Sequence, residues 1–256
     1  MVVLVRPVWT RIVEMRRDPD LFGQALLDWT RGGTEPENIQ RADGLVVPGA
    51  GHEFYLATHR NWPSSERTSL RYARGRVVDI GCGAGRVSLH LQEREQHVVA
   101  LDASRRAVRS ARLRGVKEAW CMSARQISRE IGLFDTIILF GNNFGMFGAP
   151  ERVSKVLASW AQQTHPKARI LAESTTPYCG GAPAIDRHYY QRNKANGLMP
   201  GQIRLRTQYR NRVGPWSDWL FVSRQEMRQL VRGTGWHVRT ICGDLPSESF
   251  VAVLEK

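Results

Sequence analysis

No apolar run in the 256-residue sequence approaches the roughly 18 uninterrupted residues that a membrane span needs. The apolar start Val2 to Val5 is cut off at once by Arg6 and Pro7. A soluble, cytoplasmic, unexported chain with no membrane partner is therefore expected. Cysteine is scarce: Cys82, Cys121, Cys179 and Cys242 stand far apart, with no C-x-x-C pair and no histidine at metal-ligand spacing. That argues against a structural zinc site and for reduced, mostly buried thiols. Neither an internal repeat nor a low-complexity linker is present. Acid is also short, with 24 Asp and Glu against 37 Lys and Arg, for a formal charge of +13. The excess is nearly all arginine scattered along the chain, and with its Ala, Gly and Val it resembles the codon bias of a GC-rich genome. It therefore argues against a nucleic-acid partner more than for one.

A chain of this length can bury one full hydrophobic core. Asp18-Pro19-Asp20 reads as an N-cap with Pro at the first helical position, and Phe22, Leu26 and Trp29 then form an apolar stripe ended by Gly32-Gly33. From Glu35 to Ser69 the sequence is polar and broken by Pro36, Pro48 and Pro63, yet carries Phe54, Tyr55 and Trp62. A packed loop or lid is expected there, so residues 1–70 form an N-terminal helix and lid segment.

From Arg76 short apolar runs alternate with amphipathic stretches. Val77 to Ile80, Val98 to Leu101, Ala119 to Met122, Thr136 to Phe140 and Arg169 to Ala172 are strand candidates, with helical stretches between most of them. Such alternation predicts a doubly wound α/β sheet, because a right-handed crossover helix must lie back on the sheet. Ser223 and Glu226 form a capping box before Met227, Leu230 and Val231. Two strands, Trp236 to Ile241 and Phe250 to Leu254, then close the sheet as an antiparallel hairpin.

The decisive motif is Val77-Val78-Asp79-Ile80-Gly81-Cys82-Gly83-Ala84-Gly85. A buried strand running into a glycine-rich turn and a helix sets backbone N–H groups and a helix N-terminus against a ligand. A dinucleotide fingerprint would place its third glycine where Arg86 stands. A carboxylate at Asp79 would repel a pyrophosphate and welcome an ammonium group.

This D-x-G-x-G-x-G after an apolar strand resembles the first motif of the class I S-adenosylmethionine-dependent methyltransferases. Leu101-Asp102, about 20 residues on, is similar to their second motif. The resemblance covers roughly residues 71–256 and implies a seven-stranded Rossmann-like sheet with S-adenosylmethionine as cofactor and S-adenosylhomocysteine as product. Carried over by position, Gly81, Cys82, Gly83 and Gly85 line the methionine end, with Asp79 near its amino group. Asp102 takes the ribose hydroxyls, Ala103 lies by the adenine, and Ser123 and Ala124 contact the adenine edge. Phe140, Gly141 and Asn142 sit beside the reacting methyl, and Tyr55 joins them from the lid. Cys82 reads as a spacer.

The segment Phe140-Gly141-Asn142-Asn143-Phe144-Gly145 has no Pro-Pro-aromatic sequence of the base N-methyltransferases, no Pro-Cys nucleophile and no carboxylate metal ligand. These departures from related families point to a metal-free enzyme with a small-molecule acceptor, a metabolite or natural product. An RNA or protein methyltransferase, or a non-catalytic cofactor-binding module, is the alternative. Residues 175–222 form a long insert with Tyr178, His188 and Tyr190, then a hairpin from Ile203 to Tyr209 and Trp216 to Val222. It reads as a cap over the methyl-donor pocket. His188 is the expected base, because its unperturbed pKa lies near neutrality. Tyr178, Tyr190 and Asn143 are candidates for orienting the acceptor. A monomer or homodimer is expected.

Overall fold

The computed structural model describes residues 16–128, 131–177, 184–243 and 248–256. The described residues begin with β1 (Arg16–Arg17), α1 (Leu21–Thr30), β2 (Asn38–Arg41), β3 (Val46–Pro48), α2 (Gly51–Tyr55) and α3 (Ser64–Ser69). It continues with β4 (Val77–Ile80), α4 (Arg86–Glu93), β5 (Val98–Asp102), α5 (Arg105–Leu113), β6 (Ala119–Cys121), β7 (Thr136–Leu139), α6 (Pro150–Gln163) and β8 (Arg169–Thr175). Then follow α7 (Ala184–Ala195), β9 (Gln202–Tyr209), β10 (Arg212–Val213), β11 (Ser217–Leu220), α8 (Arg224–Val231), β12 (His237–Cys242) and β13 (Ser249–Glu255).

The larger sheet has seven strands in the order β12-β13-β8-β7-β4-β5-β6. Strands β4 to β8 pair in parallel, and β13 and β12 close the edge antiparallel, as the alternation and the terminal hairpin predict. Side chains alternate across it. Val78, Ile80, Ile137, Leu139, Ile170, Ala172, Phe250 and Ala252 face one buried cluster, while Val77, Val98, Ile138, Leu171, Val251 and Val253 face the other. Burial on both faces is why these strands read as unbroken apolar runs. The capping box of α8 forms as the sequence predicts: the Ser223 hydroxyl accepts the Glu226 N–H, and the Glu226 carboxylate accepts the Ser223 N–H at 2.8 Å.

Two local expectations are corrected. Helix α1 begins at Leu21 with Asp20 as its N-cap; Asp18 accepts the Asp20 N–H at 3.0 Å from outside the helix, and its carboxylate also pairs with Arg106 at 2.7 Å and Arg212 at 3.2 Å. The stretch 35–69 is not a plain loop: it holds two strands, two short α-helices and a 3-10 turn at His59–Asn61. The hairpin β2–β3 had no partner visible in its own sequence. It pairs antiparallel with β9, placing Ile39 opposite Thr207, so the second sheet joins the N-terminal segment to the insert in the order β1-β10-β9-β2-β3, with β11 also on β9. Tyr189 on α7 fixes the insert from behind. Arg41 lies over its ring at 4.4 Å, and its hydroxyl accepts the Arg204 N–H at 3.3 Å.

Candidate active site

Parallel strands point their carboxyl ends the same way, so the turns after β4, β5 and β7 and the end of β8 meet at one edge of the sheet. After β4 the chain turns through Gly81 at φ +68°, a left-handed conformation that costs a side chain strain. Asn143, following β7, donates to Ile80 O at 2.9 Å and to Gly81 O at 3.0 Å. Its amide therefore holds the glycine turn in place, and a Cβ at Gly81 would lie 2.4 Å from it. Asn143 is a positioning residue here. Gly85 answers to packing: a Cβ there would meet Val116 at 2.5 Å.

Gly83 and Gly141 differ from these two. Both have positive φ, but a Cβ at Gly83 would meet only Leu26 at 3.6 Å, and one at Gly141 nothing within 4 Å. Open space therefore lies against Gly141 after β7, while Gly83, buried within the β4 turn, is in ordinary contact with Leu26 alone. Asp102 at the end of β5 faces the same turn, with one carboxylate oxygen accepting Gly83 N–H at 3.0 Å and the other Ser104 N–H at 2.8 Å. Each oxygen keeps a further acceptor site. Burial raises its pKa, and those two N–H bonds hold the rise in check.

Asp79 is buried beneath the turn and accepts the Ser88 hydroxyl at 2.7 Å, which ties β4 to α4. Desolvation pushes it up to about 6, with Ser88 and Arg86 pulling back. Cys82 is buried, and desolvation raises its thiol well above the ordinary value, so it is no nucleophile at neutral pH. Phe140 is packed into the core beside Trp62 and Val77. Ser123 caps the turn at residues 124–126 with Gln126, Ala124 is buried, and Ala103 is exposed. Tyr55 stacks on Trp29 at 5.8 Å, and desolvation raises its hydroxyl pKa.

At the carboxyl ends of β7 and β8 lies a polar network that the sequence alone did not reveal. Glu173 of β8 accepts Gly141 N–H at 2.5 Å, Asn142 N–H at 3.4 Å and the Ser249 hydroxyl at 2.9 Å. Thr175 donates to Asn142 Oδ1 at 2.8 Å. Burial and the neighbouring Glu66 push Glu173 up to about 8. Glu66 is itself clamped by Arg86 through two bonds of 2.6 and 2.5 Å, with Phe54 and Trp62 on the guanidinium. The available signal was Glu173 inside an apolar strand, a carboxylate where only a buried partner could keep it. Arg86, noted only as a missing glycine, needed the fold to bring Glu66 to it. Of the insert candidates, His188 is exposed on α7, Tyr190 is half-buried against Tyr189 at 6.5 Å, and Tyr178 lies outside the described residues. Among the described residues no group of three His, Cys, Asp or Glu could hold a metal ion.

This order of strands, with a glycine turn after β4 and an acid ending β5, is the fold of the class I S-adenosylmethionine-dependent methyltransferases. Residues 77–167 match the methyltransferase-domain family model. The structure is similar to an S-adenosylmethionine-dependent methyltransferase from Bacteroides fragilis in complex with S-adenosyl-L-homocysteine, with TM-score 0.76 and 24% identity over 92% of this chain and 94% of that one. It is also similar to the CcbJ methyltransferase from Streptomyces caelestis, with TM-score 0.57 and 9% identity over 77% and 97%. In sequence it is 29% identical over 147 residues to a cypemycin N-terminal methyltransferase from Streptomyces sp; the match spans 56% of either chain, so little more than half of that relative's length is covered.

Proposed function

We propose that the chain transfers the methyl group of S-adenosylmethionine to a small-molecule acceptor, a metabolite or natural product, without a metal ion. The observation that carries this reading is the open space against Gly141, where a side chain would intrude, at the same sheet edge as a carboxylate with acceptor sites to spare. Those residues fit a ribose-bearing ligand laid across the strand ends. The sulfonium of the cofactor supplies an already activated methyl, so the protein's part is alignment, exclusion of water and handling of the acceptor's proton. Asp102 would accept the ribose hydroxyls. Asn143 holds the glycine turn, and Glu173 holds the Gly141 and Asn142 amides at the methyl side.

The acceptor would enter by the cleft of about 570 Å³ lined by Thr176, Lys194, Pro200, Arg224 and Gln229, whose wall begins one residue beyond Thr175. That cleft lies between the insert and α8, which suits a compact acceptor; the curated relative, named for an N-terminal methylation of cypemycin, supports a natural-product acceptor. His188 is the proposed proton acceptor on the insert, with Tyr190 beside it.

Calorimetry tests the cofactor. S-adenosylhomocysteine binds in the micromolar range, and Asp102→Ala loses at least about thirtyfold, as expected for two unmatched hydroxyls at a charged acceptor. Unchanged affinity in that variant overturns the assignment. A methyl-transfer screen over metabolites of the neighbouring genes, run with and without chelator, tests the acceptor and the metal-free reading. In that assay His188→Ala lowers turnover about a hundredfold if it takes the proton.

A further inference from the structure

A second cavity, of about 300 Å³, lies beside α4. Its wall includes His59, Arg60, Arg86, His90, Glu93 and Arg114. None of the proposed cofactor contacts lines it. Its floor is basic and short of acid. Arg114 donates to two neutral carbonyls, Ala84 O at 2.8 Å and Leu56 O at 3.3 Å, and desolvation lowers its pKa. No carboxylate is paired with Arg60, Arg67, Arg94 or Arg114 among the described residues, whereas Arg86 is neutralised by Glu66. His59 and His90 stack face to face, 4.1 Å apart and parallel, with the edge of Trp62 against both rings. The Nε2 of His90 is buried without a hydrogen-bond partner.

A polar ring atom with no partner and a half-buried guanidinium with no counter-charge are both satisfied by one kind of guest. We propose that this cavity is a binding site for a small phosphate-type oxyanion, free or as the phosphoryl group of a small metabolite. Its oxygens would accept from Arg114, Arg60 and the protonated His pair. The charges around that pair set the sign of the pH dependence. Desolvation, Arg67 and Arg94 lower the pKa of His59, and desolvation, His59 and Arg94 lower that of His90. Glu93, exposed at the rim, is the opposing acid. Both shifts disfavour the charged form of the pair in the free protein. An anion raises its pKa, so binding takes up a proton and weakens as pH rises through the bound-state value.

Titration calorimetry of the full chain with inorganic phosphate at pH 6 and pH 8, in two buffers of different ionisation enthalpy, tests the site. One saturable site is expected, with affinity falling about tenfold or more between pH 6 and pH 8 and net proton uptake on binding. Arg60→Ala combined with His90→Gln lowers phosphate affinity at least tenfold and leaves S-adenosylhomocysteine affinity unchanged. Because Arg60 is exposed, Arg60→Ala alone gives a folded variant with a measurable loss. Glycerol phosphate separates the sources: tighter binding than phosphate marks a phosphoryl metabolite, weaker binding a free anion. Absence of saturable phosphate binding at pH 6, equal affinity in the variants, or binding only as a salt-sensitive, multi-site association with a polyanion overturns the proposal.

Discussion

Replacing Gly81 with alanine tests whether the glycine turn is held by Asn143. At φ +68° an alanine pays a left-handed backbone cost of about 1.5 kcal/mol. Its Cβ would sit 2.4 Å from Asn143 Nδ2, which must withdraw and give up its bonds to Ile80 O and Gly81 O. At about 1 kcal/mol net for each, the substitution costs about 3.5 kcal/mol in all. Asn143→Ala removes the same two bonds without the backbone strain and costs about 2 kcal/mol. The bonds can be lost only once, so the double variant should cost about 3.5 kcal/mol and not the additive value of about 5.5 kcal/mol. Urea denaturation with linear extrapolation resolves a coupling of about 2 kcal/mol. Gly141→Ala is the contrasting control. It has the same φ but meets nothing within 4 Å, so it should lose only the backbone cost while sharply weakening S-adenosylhomocysteine binding. Additive behaviour of Gly81→Ala and Asn143→Ala would refute the idea that the asparagine props the turn.

Two further outcomes follow from the buried network. Glu66→Gln leaves the Arg86 guanidinium buried without its counter-ion and should destabilise by about 3–5 kcal/mol, read as a fall in denaturation midpoint. Glu173 keeps its proton in the folded state up to about 8, far above the unfolded carboxylate value, so the folded state binds more protons between roughly pH 5 and pH 8. Stability should therefore fall as pH rises through that window. Glu173→Gln should flatten the slope, and an unchanged slope would place the proton elsewhere.

Much of the fold was legible because it is written in local periodicity. Strands buried on both faces must be continuous apolar runs, and the helices between them must carry one apolar stripe, so β4, β5, β7, α6 and α8 could be read off one after another. The turn after β4 announced itself because close approach to a ligand demands glycine at set spacing. The strands in 35–69 were not legible because the hairpin β2–β3 is anchored through β2 to β9, more than 150 residues away in the chain, and such pairing leaves no mark on either segment alone.

What the sequence determined by itself, then, is the α/β order, the terminal hairpin, and the positions of Asp102 and the glycine turn. These depend on contacts within a helix, a strand or one turn. The tertiary structure alone decided that Asn143 props Gly81, that Gly141 borders open space while Gly85 only packs, and that Arg86, Glu66 and Glu173 form one buried charge network. It also set the histidine pair, whose two members are 31 positions apart, face to face. A buried charge is tolerable only beside its partner, and which residues become partners is fixed by how distant elements pack, a property no local pattern encodes.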